Sequence, residues 1–196
     1  MKLFFDLETT GLPKQIDFDT WYPPKDVEKY NESRIIEIGI LLVHKGKIIE
    51  TYNSLVKPEN FISLKPIITK ITGITDEDIL NEGKGLSEVI NDIQPILDKA
   101  TVINSYNINF DYNILLSELY RKEDKITIKK LMDKNKECTL KLATKYLGRE
   151  KYPKLEYVYK VLFNEDPKQD HRAFGDAILC KDVYYKIRDS LKVKSI

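Results

Sequence analysis

The sequence predicts an α/β fold, a mixed sheet covered by helices. Three observations carry that prediction. The first apolar segments are short and rich in β-branched or aromatic residues, the later ones recur at helical spacing, and one more short apolar segment is embedded among the helices. At 196 residues, 42% of them hydrophobic and 32% charged, the chain is long enough to bury a core without a disulfide or zinc staple.

Lys2 to Leu7 reads as a buried strand closed by ThrThrGlyLeuPro, a tight loop. From Pro13 to Ser33 no periodicity persists, and about 13–33 is read as an inserted loop, partly helical. Arg34 to Val43 and Lys47 to Val56 are strand-like on either side of HisLysGlyLys, hence a hairpin. Leu86, Val89, Ile90, Ile93 and Leu97 mark a helix over 86–97, and AlaThrValIleAsn at 100–104 a strand. Helices are predicted over Phe110 to Tyr120, Cys138 to Leu147, Leu155 to Phe163 and Ala173 to Leu191. With no repeat and no interdomain linker, 1–196 is read as a single domain.

Charge narrows the partners. The 32 Lys plus Arg nearly balance 31 Asp plus Glu, giving a net charge of +1, which disfavours a protein gripping long nucleic acid by a broad basic face. Binding at a chain end stays open. No apolar run approaches the roughly 20 residues of a membrane helix, and MetLysLeuPhePheAspLeuGlu meets carboxylates too early for a signal peptide, so no membrane and an intracellular setting are expected. Cys138 and Cys180 stand far apart without a CxxC, which suggests reduced thiols.

The chemistry is carried by carboxylates. Asp6 and Glu8, two apart on one strand, point to the same face, where they repel unless a cation lies between them or water screens a frayed strand end. Asp176 falls inside the apolar stripe formed by Ala173, Ala177, Cys180, Val183, Tyr184 and Ile187. Burying an unpaired carboxylate costs several kcal/mol, so a basic side chain or a metal is expected beside it. Asp111 borders Ile114 and Leu115 and reads either as a fourth ligand or as a first-turn acid favoured by the helix dipole. Four carboxylates without a Cys/His cluster suit magnesium or manganese rather than zinc. Two such ions, about 3.5 to 4 Å apart, serve phosphodiester hydrolysis.

Of the two histidines, His44 belongs to the hairpin turn and is assigned no function. His171, five positions before Asp176, is either a helix-start hydrogen bonder or a base able to take a proton from the attacking water.

AspLeuGluThrThrGlyLeu (6–12), AsnIleAsnPheAsp (107–111) and HisArgAlaPheGlyAspAla (171–177) resemble the three exonuclease motifs of the DEDDh, or DnaQ-like, 3′ to 5′ exonucleases. ArgIleIleGluIleGly (34–39) and IleThrGlyIleThr (71–75) resemble further family segments in the same order. The resemblance implies a ribonuclease H-like fold, a five-stranded mixed sheet with a three-stranded antiparallel part. It implies two Mg2+ or Mn2+ ions held by Asp6, Glu8, Asp111 and Asp176, with His171 as general base. It places Thr9, Thr10, Leu12 and Asn107 against the substrate, with Leu12 as a wedge. The tyrosine subclass carries Tyr four residues before the last Asp, where this chain has Arg172, so the histidine type is implied.

Two departures stand out. Tyr106 replaces the His that many relatives have before the second motif's Asn, and the 13–33 segment is longer than the usual link. Trp21 and Tyr22 on that segment either stack on an unpaired base or pack the insert onto its own domain.

The expected activity is removal of nucleoside 5′-monophosphates from single-stranded DNA 3′ ends, in proofreading or repair, with a DNA polymerase as a candidate partner. Trimming of short RNA is the alternative substrate reading, because 2′-hydroxyl contacts are not labelled in the sequence. A non-catalytic binding module is the alternative of another class, and the intact set of four acids and His171 argues against it.

Overall fold

The structure is a computed structural model that describes residues 1–17, 20–167 and 171–193. In chain order its strands are β1 (Lys2–Thr9), β2 (Gln15–Asp17), β3 (Thr20–Trp21), β4 (Ile35–His44), β5 (Lys47–Lys57), β6 (Lys84–Gly85), β7 (Val102–Ser105) and β8 (Asn135–Cys138). Its helices are α1 (Pro66–Thr72), α2 (Asp76–Glu82), α3 (Leu86–Lys99), α4 (Ile108–Arg121), α5 (Lys125–Met132), α6 (Thr139–Tyr146), α7 (Leu155–Phe163) and α8 (Ala173–Val193).

The main sheet runs β6-β5-β4-β1-β7-β8. β1, β4 and β5 are antiparallel neighbours, while β7 and β8 extend the sheet in parallel from β1. This is the mixed ribonuclease H-like arrangement the motifs imply, with one addition: the two-residue β6 pairs in parallel with the end of β5 and makes a sixth strand. The predicted helix over 138–147 is shorter at its start, because 135–138 pairs with 102–105 and the helix begins at Thr139. AsnLysGluCys has no strand-like alternation, and an edge position tolerates its exposed polar side chains.

Alternation along β1 divides its side chains between two cores. Leu3, Phe5 and Leu7 join Ile38, Ile40 and Leu42 of β4 under α3 and α4. Phe4 faces the other way with Leu41 and Val43, against Ala177, Cys180 and Tyr184 of α8. Asp6 and Glu8 therefore share Phe4's face, the one covered by α8. The whole stripe from Ala173 to Ile187 read from the sequence is buried. Cys138 and Cys180 are both free thiols.

Segment 71–75 is a helix stop followed by a helix start. Gly73 closes α1 with a left-handed φ of 72°, and Thr75 caps α2 by accepting from the Asp78 amide. Ile74 between them is buried with Ile36 and Ile79.

The described part of the insert is a β2–β3 hairpin and a turn of 3-10 helix at Val27–Tyr30. Tyr30 is fully buried and donates its hydroxyl to the Tyr22 carbonyl at 2.6 Å. Trp21 meets the Phe110 ring edge-on at 5.9 Å, and Tyr22 packs against the main core. Of the two uses open to Trp21 and Tyr22, the structure shows the packing one. His44 is exposed at the β4–β5 turn, as expected.

Candidate active site

At the C-terminal ends of parallel β1 and β7, helices arriving on opposite sheet faces deliver acidic side chains to one place. Asp6 and Glu8 come from β1, Asp111 from the first turn of α4 and Asp176 from the first turn of α8. Asp6, Glu8 and Asp176 each offer an oxygen within 4.8 Å of the others. A cleft of about 330 Å³ is lined by Asp6, Asp111, His171 and Asp176, together with Asn107 and Lys154. Such a position, beyond the carboxyl ends of parallel strands, is where open α/β sheets commonly bind ligands.

The close approach of α8 has a local cause. Gly39 lies opposite Asp6 on β4, and a Cβ built there would come within 2.4 Å of the Phe174 amide nitrogen and 2.5 Å of the Ala173 carbonyl carbon. Helix and sheet touch backbone to backbone at this point. Beside it Glu37, opposite Glu8 and fully buried, accepts from Arg172 Nε at 3.0 Å and Nη2 at 2.6 Å, and from the Ala173 amide at 2.9 Å. That clamp fixes the first turn of α8, and Asp176 continues the turn by donating its backbone N–H to the Arg172 carbonyl at 3.0 Å. His171 has a left-handed φ of 49°, which turns the chain into the helix directly before Arg172.

On the other side Asp111, 3% exposed, accepts from Ser105 Oγ at 2.7 Å and from the Leu7 amide. The helix that carries it is tied to the residue preceding β4, Arg34, whose Nε and Nη2 reach the buried Glu118 at 2.6 and 3.1 Å.

Burial and mutual repulsion set the protonation of this centre. Burial, then the charges of Asp111, Asp176, Glu8 and Glu37, hold the Asp6 carboxyl well above the usual carboxylate range. Burial first and Asp176 second push Glu8 to about 8. Burial raises Asp111 to about 7 against the opposing hydrogen bonds from Ser105 and Leu7. A cluster whose acids resist ionisation lacks positive charge, and its donors are all hard oxygens. It fits a divalent metal ion.

The remaining expected residues lie around this centre. Asn107 precedes α4 and lines the cleft. Thr9 and Thr10 follow Glu8, but their hydroxyls are engaged within the protein, donating to the Gly11 and Glu32 carbonyls at 2.7 and 2.9 Å. The Thr10 amide likewise donates to the Arg34 carbonyl at 2.9 Å. Leu12 projects into solvent, 76% exposed.

Glu37, Gly39 and Ser105 were not singled out from the sequence. Glu37 carried a usable signal, since an acid between Ile36 and Ile38 on a strand buried along most of its length is the same anomaly that marks Asp176.

Comparison with known proteins places these residues in context. The family model RNase_T, described as Exonuclease, matches residues 3–184. The PolC-type DNA polymerase III of Thermotoga maritima is 31% identical over 191 residues, 95% of this chain and 12% of that protein. The DNA polymerase III subunit epsilon of Treponema pallidum is 30% identical over 183 residues, 92% of this chain and 73% of that one. The chain thus spans about an eighth of the PolC-type relatives. Among solved structures, E. coli Exonuclease I in complex with a dA16 oligonucleotide superposes with a TM-score of 0.72 at 20% identity, covering 96% of this chain and 40% of that one, a likeness of fold.

Proposed function

The chain belongs to the RNase_T exonuclease family, and from that membership we propose that residues 1–196 form one exonuclease domain, with an insert at 13–33, that releases nucleoside 5′-monophosphates from the 3′ ends of single-stranded DNA. The observation that carries this reading is the gathering of Asp6, Glu8 and Asp176 within 4.8 Å, with Asp111 and His171 on the same cleft.

Asp6, Glu8 and Asp176 would hold one divalent ion, and Asp6 with Asp111 a second. Magnesium or manganese bound there supplies an activated water and charge stabilisation at the leaving oxygen. The protein's own groups do the rest. His171, on the rim where α8 begins, takes the proton of the attacking water at an imidazole nitrogen. Asn107 orients the terminal nucleotide from the α4 side, the 9–10 backbone meets it from the β1 side, and the exposed Leu12 side chain abuts its base. The Glu37–Arg172 clamp keeps His171 and Asp176 in register with β1.

Work beside a DNA polymerase, as in proofreading, is supported by the two polymerase III relatives. An intracellular setting accords with that partner, and among the described residues no helix is long and apolar enough to cross a membrane.

The test is the product ladder from 5′-labelled single-stranded DNA, duplex DNA and RNA of one sequence, incubated with magnesium, manganese or EDTA. Stepwise shortening of single-stranded DNA that EDTA abolishes is expected. Asp176→Ala should lower the rate ~10²- to 10³-fold, the scale lost with a key charge-stabilising group. Faster shortening of the RNA would reassign the substrate, and full activity of a purified Asp176→Ala protein would sink the assignment.

A further inference from the structure

The loop between α6 and α7 is tied to the cleft by Tyr106. Tyr106 donates its hydroxyl to the Pro153 carbonyl at 2.6 Å, and its own carbonyl accepts from the Leu140 amide at 2.8 Å. The Pro153 end of the 147–154 connection is thereby fastened to a side chain that lines the carboxylate cleft, and the first turn of α6 to the backbone of the same residue.

Three clefts adjoin here through shared lining residues. The carboxylate cleft shares Asn107 with a neighbouring cleft of about 750 Å³, which is also lined by Leu140, Glu150, Lys151 and Tyr152. It shares Lys154 with a third, of about 310 Å³, lined by Arg149, Lys151 and Tyr152. Residues 149–154 carry three cations, Arg149, Lys151 and Lys154, against one acid, Glu150. This local excess stands out on a chain whose net charge is only +1. Tyr152 is 41% exposed between two of these clefts. Arg149 lies 4.5 Å over the Tyr157 ring, which holds its guanidinium at the loop surface.

We propose that this Tyr106-anchored loop is the outlet of the cleft, a site for single-stranded nucleic acid in which Lys151 and Lys154 meet successive phosphates and Tyr152 stacks on an unpaired base upstream of the terminal nucleotide. The inference rests on the exonuclease reading above. It makes the grip depend on strand length, because a substrate too short to leave the carboxylate cleft never reaches Lys151 or Tyr152.

The experiment compares hydrolysis of a thymidine dinucleotide and a twelve-residue oligothymidylate by the wild-type protein, Lys151→Ala/Tyr152→Ala and Lys151→Arg, across a series of salt concentrations. For the double variant, KM on the long substrate should rise on the order of tenfold, in line with the loss of one stacked base, and more than KM on the dinucleotide. The salt dependence of log KM on the long substrate should flatten by about 0.7 for each phosphate that no longer meets a cation. Lys151→Arg should retain the wild-type salt slope. Equal rises at both lengths, or no rise, would overturn the loop assignment while leaving the exonuclease reading intact. A wild-type protein that cleaves neither substrate would overturn both.

Discussion

Two stations of the same cleft hold their acids by different means. Asp111 is enclosed by protein dipoles, with the Ser105 hydroxyl and the Leu7 amide directed at its carboxylate, so the protein itself offsets part of the cost of burial. Asp6 is surrounded by other acids, and the charges of Asp111, Asp176, Glu8 and Glu37 all add to the effect of burial. The nearby guanidinium of Arg172 is bound to Glu37 and relieves Glu8 only as a minor influence. A fold can therefore relieve one buried acid in part with its own hydrogen bonds and leave its neighbours without that relief.

The sharpest way to break that contrast is stability against pH in a chelator. Asp6, Glu8 and Asp111 have folded pKa values raised above their unfolded ones, so they contribute stability fully present below about pH 4 that is lost as pH rises through about 7 to 8. The metal-free protein should lose several kcal/mol, with a fall in Tm on the order of 10 °C or more, between about pH 4 and pH 8. Millimolar manganese should restore it. A Tm that rises with pH in EDTA, or one indifferent to manganese, would remove the proposed electrostatic deficit. The exposed acids with lowered pKa, Glu32, Glu59 and Asp92, act below the window and do not confuse it.

A smaller effect tests the clamp behind the acids. Glu37→Ala leaves the Arg172 guanidinium without its carboxylate, and since Arg172 is about one-third exposed the expected cost is about 2 kcal/mol, less than for a fully buried pair. Thermal melting reads that cost, and manganese titration of the same protein should show weaker binding as Asp176 loses its register. Unchanged manganese affinity would confine Glu37 to a structural role.

The smallest expected effect belongs to Ser105→Ala. Removing a hydrogen bond that favours the ionised carboxylate raises the Asp111 pKa further above 7, at a cost of about 1 kcal/mol that grows as pH rises through that value. Melting curves at pH 5.5 and 8.5 would show it as a pH-dependent difference from wild type. A constant difference would mean that the hydroxyl stabilises the end of β7 rather than the charge.

What could be read in advance followed from short-range periodicity. Asp6 and Glu8 share a face because strands alternate, and Asp176 stood out because its neighbours at helical spacing are apolar, so both anomalies were visible within a few residues. The strand at 135–138, the α1–α2 pair and β6 were not visible. Their residues are too few or too polar for a period, and they form because a neighbouring strand or a cap partner waits for them. The Glu37 clamp joins positions 135 residues apart, a distance no local pattern spans. Trp21 and Tyr22 were equally undecidable, since stacking on a base and packing on Phe110 call for the same aromatic surface.

Position 39 shows that a residue can be indispensable for what it does not carry. Gly39 gives the centre no charge, no hydrogen-bonding side chain and no ligand atom, yet α8 rests on the space where a methyl group would be. A survey of inactive variants should therefore score this site beside the acids themselves. Tolerance to substitution here measures how finely the chemistry depends on the gap between a helix and a sheet.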